Sequence, residues 1–312
     1  MKMLRSGAEI LLMLLCVATF SSCAERRMDA PSGDTRHFEK KFTVAPGGSL
    51  VLKTDVGSVS VKGGSGSEVS VVVDLRGRER DVNRFEISAD QHGNDVEVRG
   101  EFKEKMSSWF HGFNNFDARF VVLVPHEYSV ELRTSGGNVE VIALKGRVHG
   151  GTSGGDVTAQ EVEGEVTMET SGGSIHAEKV TGPVKMKTSG GDVRAVSMTG
   201  DVDLRTSGGN VWVEGVDGKV EAHTSGGNVH VKVNGANKGI HAETSGGNIE
   251  LTIAKDAGAE LDLSTSGGGV TCDMPVTVSG RIKEDRIHGT LNGGGPSIYA
   301  HTSGGDVRVR PL

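Results

Sequence analysis

The chain is poor in the residues that build an ordinary core or a disulfide scaffold. Only 3 of its 312 residues are cysteine. Cys16 and Cys23 fall in a leader-like stretch and Cys272 stands alone, which excludes a disulfide framework and a Cys-x-x-Cys metal motif. Cys272 reads as a small inward-facing hydrophobe. Aromatic residues make up 4% and hydrophobic residues 35% of the chain, too few for one large conventional core. There is no basic excess. The net charge is −7, and without a basic footprint no nucleic-acid partner is expected. The apolar run Ile10 to Phe20 is 11 residues long, too short for a spanning helix. Helical periodicity is missing as well: no window of the central region places apolar residues at i, i+3, i+4 and i+7.

What the chain has is glycine, 47 residues of it, without the strict triplet of collagen. Much of it sits in one tetrapeptide. Thr-Ser-Gly-Gly begins at Thr134, Thr152, Thr170, Thr188, Thr206, Thr224, Thr244 and Thr265, and again at Thr302. The first six copies are 18 residues apart, and the next gaps are 20 and 21. A fixed period of this size means one supersecondary unit stacked on itself. Within a unit, apolar and polar residues alternate with period two: Val166 and Met168 against Thr167 and Glu169, then Ile175 and Ala177 against His176 and Glu178. Such alternation marks short, half-buried strands. Glycines supply positive φ or close backbone approach at the corners. Each unit is therefore one coil of two strands and two glycine corners.

Aligned coils give columns. Val139, Val157, Ile175, Val193, Val211, Val229, Ile249 and Val270 form one inward column, and Val148, Val166, Val184, Val202 and Val220 a second. Val141, Ala159, Ala177, Ala195, Val213, Val231, Leu251 and Cys272 form a third. Like residues stacked ~4.8 Å apart are what a β-solenoid produces, with stability summed over neighbouring coils. The tetrapeptide hydroxyls and the series Asn138, Asp156, Asp192, Asn210, Asn228 and Asn248 read as polar ladders that satisfy backbone groups at a corner. The fold class expected is all-β: a single-stranded β-solenoid of ~18-residue coils with Thr-Ser-Gly-Gly corners, capped at both ends.

These rungs resemble the bacterial putative-adhesin β-strand-repeat domain family, a domain of unknown function. The likeness also rests on Phe120-Val-Val-Leu-Val-Pro125 leading into Leu132-Arg-Thr-Ser-Gly-Gly, and on Leu291-Asn-Gly-Gly-Gly-Pro-Ser-Ile298 before Thr302-Ser-Gly-Gly-Asp-Val307. It covers roughly Phe38 to Leu312. The resemblance implies an envelope-associated β-solenoid and brings no catalytic residues with it.

Taken in order, residues 1–22 read as a signal peptide, with Lys2 and Arg5 ahead of the apolar core. Phe20-Ser-Ser-Cys23 reads as a lipoprotein box with Cys23 the lipidated residue; the plainer alternative is a cleavable signal with an incidental cysteine. The expected location is exported, in the cell envelope, lipid-anchored to a membrane. Residues 23–37 read as a tether and 38–133 as irregular N-terminal coils and cap. Within that cap, Phe102, Trp109, Phe110, Phe113, Phe116 and Phe120 form an aromatic insertion. It either displays Trp109, Phe110 and Phe113 to a partner or folds over the solenoid edge. Residues 134–272 are the regular repeats. Residues 273–312 are closing strands and a last coil, with Ile282, Ile287, Leu291 and Ile298 suggesting a strand pair.

Chemistry is sparse. Gly151-Thr-Ser-Gly-Gly155 matches G-x-S-x-G, but it is one of nine copies and no helix follows, so a nucleophile elbow is rejected. Calcium nonapeptides need Gly-Gly-x-Gly-x-Asp in both halves of a coil; here only one half has the glycine pair. No compact His/Asp/Glu cluster or catalytic carboxylate pair is evident along the chain, so no metal, cofactor or enzyme activity is expected. One outward column stands out: His176, Arg194, Trp212 and His230, at successive 18-residue steps. It could bind sugar or anions, with Trp212 as a stacking platform and Arg194 as a fork for carboxylate or phosphate, or be a solvated face with one exposed Trp. Arg205, His223 and Glu243 form a second column. The function expected is a non-enzymatic envelope scaffold that binds a glycan or an envelope protein. The alternatives are a polysaccharide lyase or hydrolase on the same coils, or a structural periplasmic lipoprotein.

Overall fold

The computed structural model describes residues 34–103, 116–278 and 283–312. The chain divides into two units, Met1–Ser32 and Gly33–Leu312, and the described residues all belong to the second. The expected signal peptide, Cys23, and the tips of the aromatic insertion at Trp109, Phe110 and Phe113 lie outside the described residues, as does Ile282.

The protein is a β-solenoid. Among the described residues there are 27 strands in two sheets of 13 and 14, and one short helix, Glu79–Arg84. Each regular coil places a seven-residue strand in the first sheet, such as Val157–Glu163 or Ile175–Thr181. It places a four-residue strand in the second, such as Val166–Glu169 or Val184–Lys187. Coils pair in parallel at the 18-residue offset: Val157 with Ile175 in one sheet, Val166 with Val184 in the other. The core is the thin space between the sheets. Of the expected inward columns, Val139 through Ile249 and Val148 through Val220 are almost fully buried.

The corner chemistry explains the tetrapeptide. The Thr170 hydroxyl donates to the Gly155 carbonyl of the preceding coil at 2.9 Å, and Thr188 does the same to Gly173 at 2.8 Å. The same Thr170 oxygen accepts from the Gly173 amide at 3.4 Å. Thr thus ties both its own turn and the neighbouring coil, while the serine that follows is exposed. Asn and Asp form the second ladder: the Asp156 carboxylate accepts from the Ser174 amide at 2.8 Å, and Asn210 from the Asn228 amide at 2.9 Å. The second glycine of each pair is required by space. A Cβ at Gly173 would meet the Gly155 carbonyl oxygen at 2.0 Å, backbone against backbone.

One regular feature escapes the alternation pattern. Ala143, Glu161, Lys179 and Ser197 adopt left-handed backbone, with φ between 54° and 58°, and Gly215 follows at 70°. Each sits inside a seven-residue strand and acts as a bulge. It shifts the alternation by one, so that Leu144, Val162, Val180, Met198 and Val216 turn inward and form a further buried column.

The ends are built by intercalation. Gly48–Thr54 lies between Tyr128–Thr134 and Asp95–Phe102 in the second sheet. Ser58–Gly64 lies between Val139–Lys145 and Asp117–Pro125 in the first. Beyond them, Asp34–Thr43 and Glu68–Gly77 add antiparallel strands. Among the described residues strand structure is already present at Asp34, within the stretch expected to be tether. Phe85, Phe102 and Phe116 pack ring to ring at 5.0–5.3 Å, and Phe120 is fully buried, so this part of the aromatic insertion folds inward.

At the other end the expected stacking order is corrected. Val270 does not follow Ile249. The last coil slides between them: Ser297–Thr302 pairs with Ile240–Thr244 on one side and Ala259–Thr265 on the other. Val307–Pro311 likewise separates Ile249–Ile253 from Val270–Cys272. The Thr ladder follows the spatial order, Thr302 donating to Gly247 and Thr265 to Gly305, both at 2.7 Å. Cys272 is consequently near the rim and only half-buried; desolvation pushes its thiol above the usual range. Arg286–Leu291 closes the end as an antiparallel strand on Ala259–Thr265.

Candidate functional site

Parallel in-register pairing converts residues one period apart into neighbours. On the outer face of the first sheet, His176 is opposite Arg194, Arg194 opposite Trp212, and Trp212 opposite His230. The expected column is therefore assembled in order. His230 continues into Glu250, and Glu250 into Arg308.

The side chains interact along the column. The Trp212 and His230 rings stack at 4.1 Å with 24° between planes. The Arg194 guanidinium carbon lies 5.3 Å from the Trp212 ring centroid, on the side of the preceding coil, a cation–π contact. Because its neighbours approach from opposite sides, Trp212 offers solvent its edge, although it is 38% exposed. A sugar-stacking platform needs a free ring face, and the two faces of Trp212 are met by His230 and Arg194.

Charges around the strip are mostly matched. His230 lies 3.4 Å from Glu250, whose other oxygen takes Arg310 at 2.6 Å. His176 is 3.7 Å from Glu178. Lys232 binds Glu214 at 3.0 Å. The Glu214 carboxyl is held below the ordinary carboxylate range by the Lys232 hydrogen bond first and the Lys232 charge second. A hydrogen bond from Trp212 and the Arg194 charge add to this, against a desolvation effect. Arg194 makes no ion pair of its own among the described residues.

The outer face of the second sheet carries a different set. His223 is opposite Glu243, and Glu221 opposite His241. His241 continues into Tyr299 and Glu243 into His301. His223, His241 and Glu243 offer one ligand atom each within 4.8 Å of one another. The expectation that no such cluster exists came from spacing along the chain; the fold gathers these three from two coils. Further along this face, a shallow concavity of about 470 Å³ opens beside Gly151, lined by Lys53, Arg99 and Arg133 with Asp55, Glu101 and Glu169. Gly151 falls in the column between Arg133 and Glu169, where the missing side chain leaves the dip. Among the described residues, no helix is long and apolar enough to cross a membrane.

Residues 48–310 match the Toastrack DUF4097 family. The chain therefore belongs to this family of stacked β-strand repeats. Among solved structures it is similar to a putative adhesin from Bacteroides fragilis NCTC 9343, at 13% identity, with 89% of this chain and 97% of that one covered and a TM-score of 0.44. It is similar too to a putative lipid binding protein from Parabacteroides distasonis ATCC 8503, at 11% identity over 89% and 97% of the two chains, with a TM-score of 0.49. No curated protein matches the chain.

Proposed function

We propose that this protein is a non-enzymatic binding scaffold of the cell envelope, exported by residues 1–22 and anchored through lipid on Cys23. Its first-sheet face binds an anionic group of an envelope glycan through Arg194, with Trp212 and His230 as the backing. The observation that carries this is the state of Arg194. It is poised over Trp212 at 5.3 Å without an ion pair, on a face where His176, His230, Lys232 and Arg310 all have acidic partners. A guanidinium held by an aromatic ring keeps its donor fork for an incoming carboxylate or phosphate. A flat ladder one coil wide suits an extended polymer better than a small molecule that needs enclosure.

The test is an array of neutral and acidic glycans probed with wild type, Arg194→Gln and Trp212→Ala. Binding confined to acidic glycans and weakened about tenfold or more by either substitution is expected, the size of one lost charge-assisted contact. Binding indifferent to both substitutions, or no binding by any form, would overturn this assignment.

A further inference from the structure

We propose that His223, His241 and Glu243 form a binding site for a first-row divalent transition metal of the zinc class, on the second-sheet face and independent of the Arg194 strip. The donor set is two imidazoles and one carboxylate, the borderline nitrogen and oxygen ligands that suit zinc, nickel and copper over calcium or magnesium. The His223 Nδ1 lies 3.3 Å from one Glu243 oxygen and the His241 Nε2 lies 3.2 Å from the other. With metal–ligand bonds of about 2.0–2.1 Å, neighbouring ligands on a tetrahedral ion are about 3.3 Å apart, so each imidazole nitrogen already stands at ligand spacing from one of the two Glu243 oxygens. The third pair, His223 with His241, lies within 4.8 Å, their rings 5.1 Å apart at centroid, so an ion bound by both would draw the two imidazoles closer together.

The surroundings orient these ligands. His241 stacks on Tyr299 at 4.6 Å and 14°, which limits rotation of its ring. Glu243 is one rung from His301, which is itself held by the Ser264 hydroxyl at 3.0 Å. All three ligands sit on strands, His223 closing Val220–His223 and the other two within Ile240–Thr244, so their spacing is set by ladder geometry. They are half-exposed and reachable by an ion from solution. Three protein ligands leave a coordination position for water or for a donor from a bound partner.

The molecule provides its own control. His230 and Glu250 make a similar pair at 3.4 Å on the other sheet, but Asn248 stands two residues before Glu250, where the proposed site has His241 two residues before Glu243. Simple His–Glu pairing makes the two places alike; metal coordination separates them. The experiment is calorimetric titration of untagged protein with zinc chloride, alongside cobalt(II) absorption to report tetrahedral nitrogen and oxygen ligation. Wild type is expected to take up one equivalent. His223→Ala, His241→Ala and Glu243→Gln should each weaken uptake about tenfold or more, and His230→Ala should leave it unchanged. Circular dichroism confirms that each variant is folded, and these surface changes leave the core columns intact. Uptake by wild type that survives the three substitutions, that is lost equally in His230→Ala, or that is absent at millimolar zinc would overturn the proposal.

Discussion

The two glycines of each tetrapeptide look equivalent in sequence and are not equivalent in the fold. A Cβ at Gly172 would meet nothing closer than 3.6 Å, which is ordinary contact. A Cβ at Gly173 would lie 2.0 Å from the Gly155 oxygen, 2.4 Å from its carbonyl carbon and 2.8 Å from the Asp156 nitrogen. Neither glycine has left-handed backbone, so the difference is steric alone. To restore a 3.4 Å contact at Gly173, two coils must part by over an ångström. Nearby ladder bonds between these two coils, such as the Val157 amide to Ser174 at 3.0 Å, cannot stretch that far. Overpacking against backbone costs roughly 1–3 kcal/mol, and each net hydrogen bond lost adds about 1 kcal/mol. Gly173→Ala should therefore cost about 2–4 kcal/mol. Gly172→Ala should be neutral or gain up to about 1 kcal/mol, because alanine restricts the unfolded chain. At about 2–4 °C per kcal/mol for a domain of this size, the two variants should differ by roughly 4–20 °C in Tm. Thermal melts followed by far-ultraviolet circular dichroism would show it. Equal melting temperatures would refute the claim that the second glycine is kept for coil-to-coil approach.

Three further outcomes follow from the same geometry. Excising residues 171–188 should leave a folded, shorter protein, since Val157 then stacks on Val193 and Val166 on Val202 in register; an unfolded spectrum would contradict solenoid additivity. Replacing Cys23 by alanine should abolish incorporation of labelled fatty acid, and unchanged labelling would remove the proposed anchor. Glu214 has a depressed folded-state pKa, so its favourable interactions are present above the unfolded value and are lost as pH falls through the folded one. Lys232→Met should therefore move the Glu214 titration upward towards the ordinary carboxylate range, read by carbon-detected NMR; an unmoved midpoint would show that Lys232 is not the main cause.

Much of the fold is legible because a parallel in-register stack repeats its own evidence. Valine recurs at 139, 157, 193 and 211 since each position meets the same surroundings one rung further on. The left-handed bulge is invisible for a physical reason. Its cost of about 1–2 kcal/mol per residue is small enough for Ala143, Glu161, Lys179 and Ser197 to bear it, so four of five coils carry no glycine there. Only Gly215 betrays it. Chain order also hides the intercalated last coil. Yet the expansion at Ala254 to Gly258 is its trace: that loop climbs two rungs, about 9.6 Å, to leave a place for the strand that returns at Ser297.

The same geometry governs what can be learned of a site. Residues that touch across a solenoid face are one period apart in sequence, so local motifs contain no record of them. The column through His176, Arg194, Trp212 and His230 is readable because all four lie on a single strand position. Rung neighbours lie against both faces of Trp212, and on the proposed reading the group left for a ligand is the arginine beside it. The histidine cluster needs two columns read side by side. His223 and Glu243 share one, His241 belongs to the next, and the intervening period is 20 residues because of the loop at Gly235 to Gly239. Lys187 and Arg205 precede His223 in its column, so the column changes from cations to imidazole and carboxylate within a single rung. A ladder under no constraint but solubility has no reason to place two imidazoles around one carboxylate at that step.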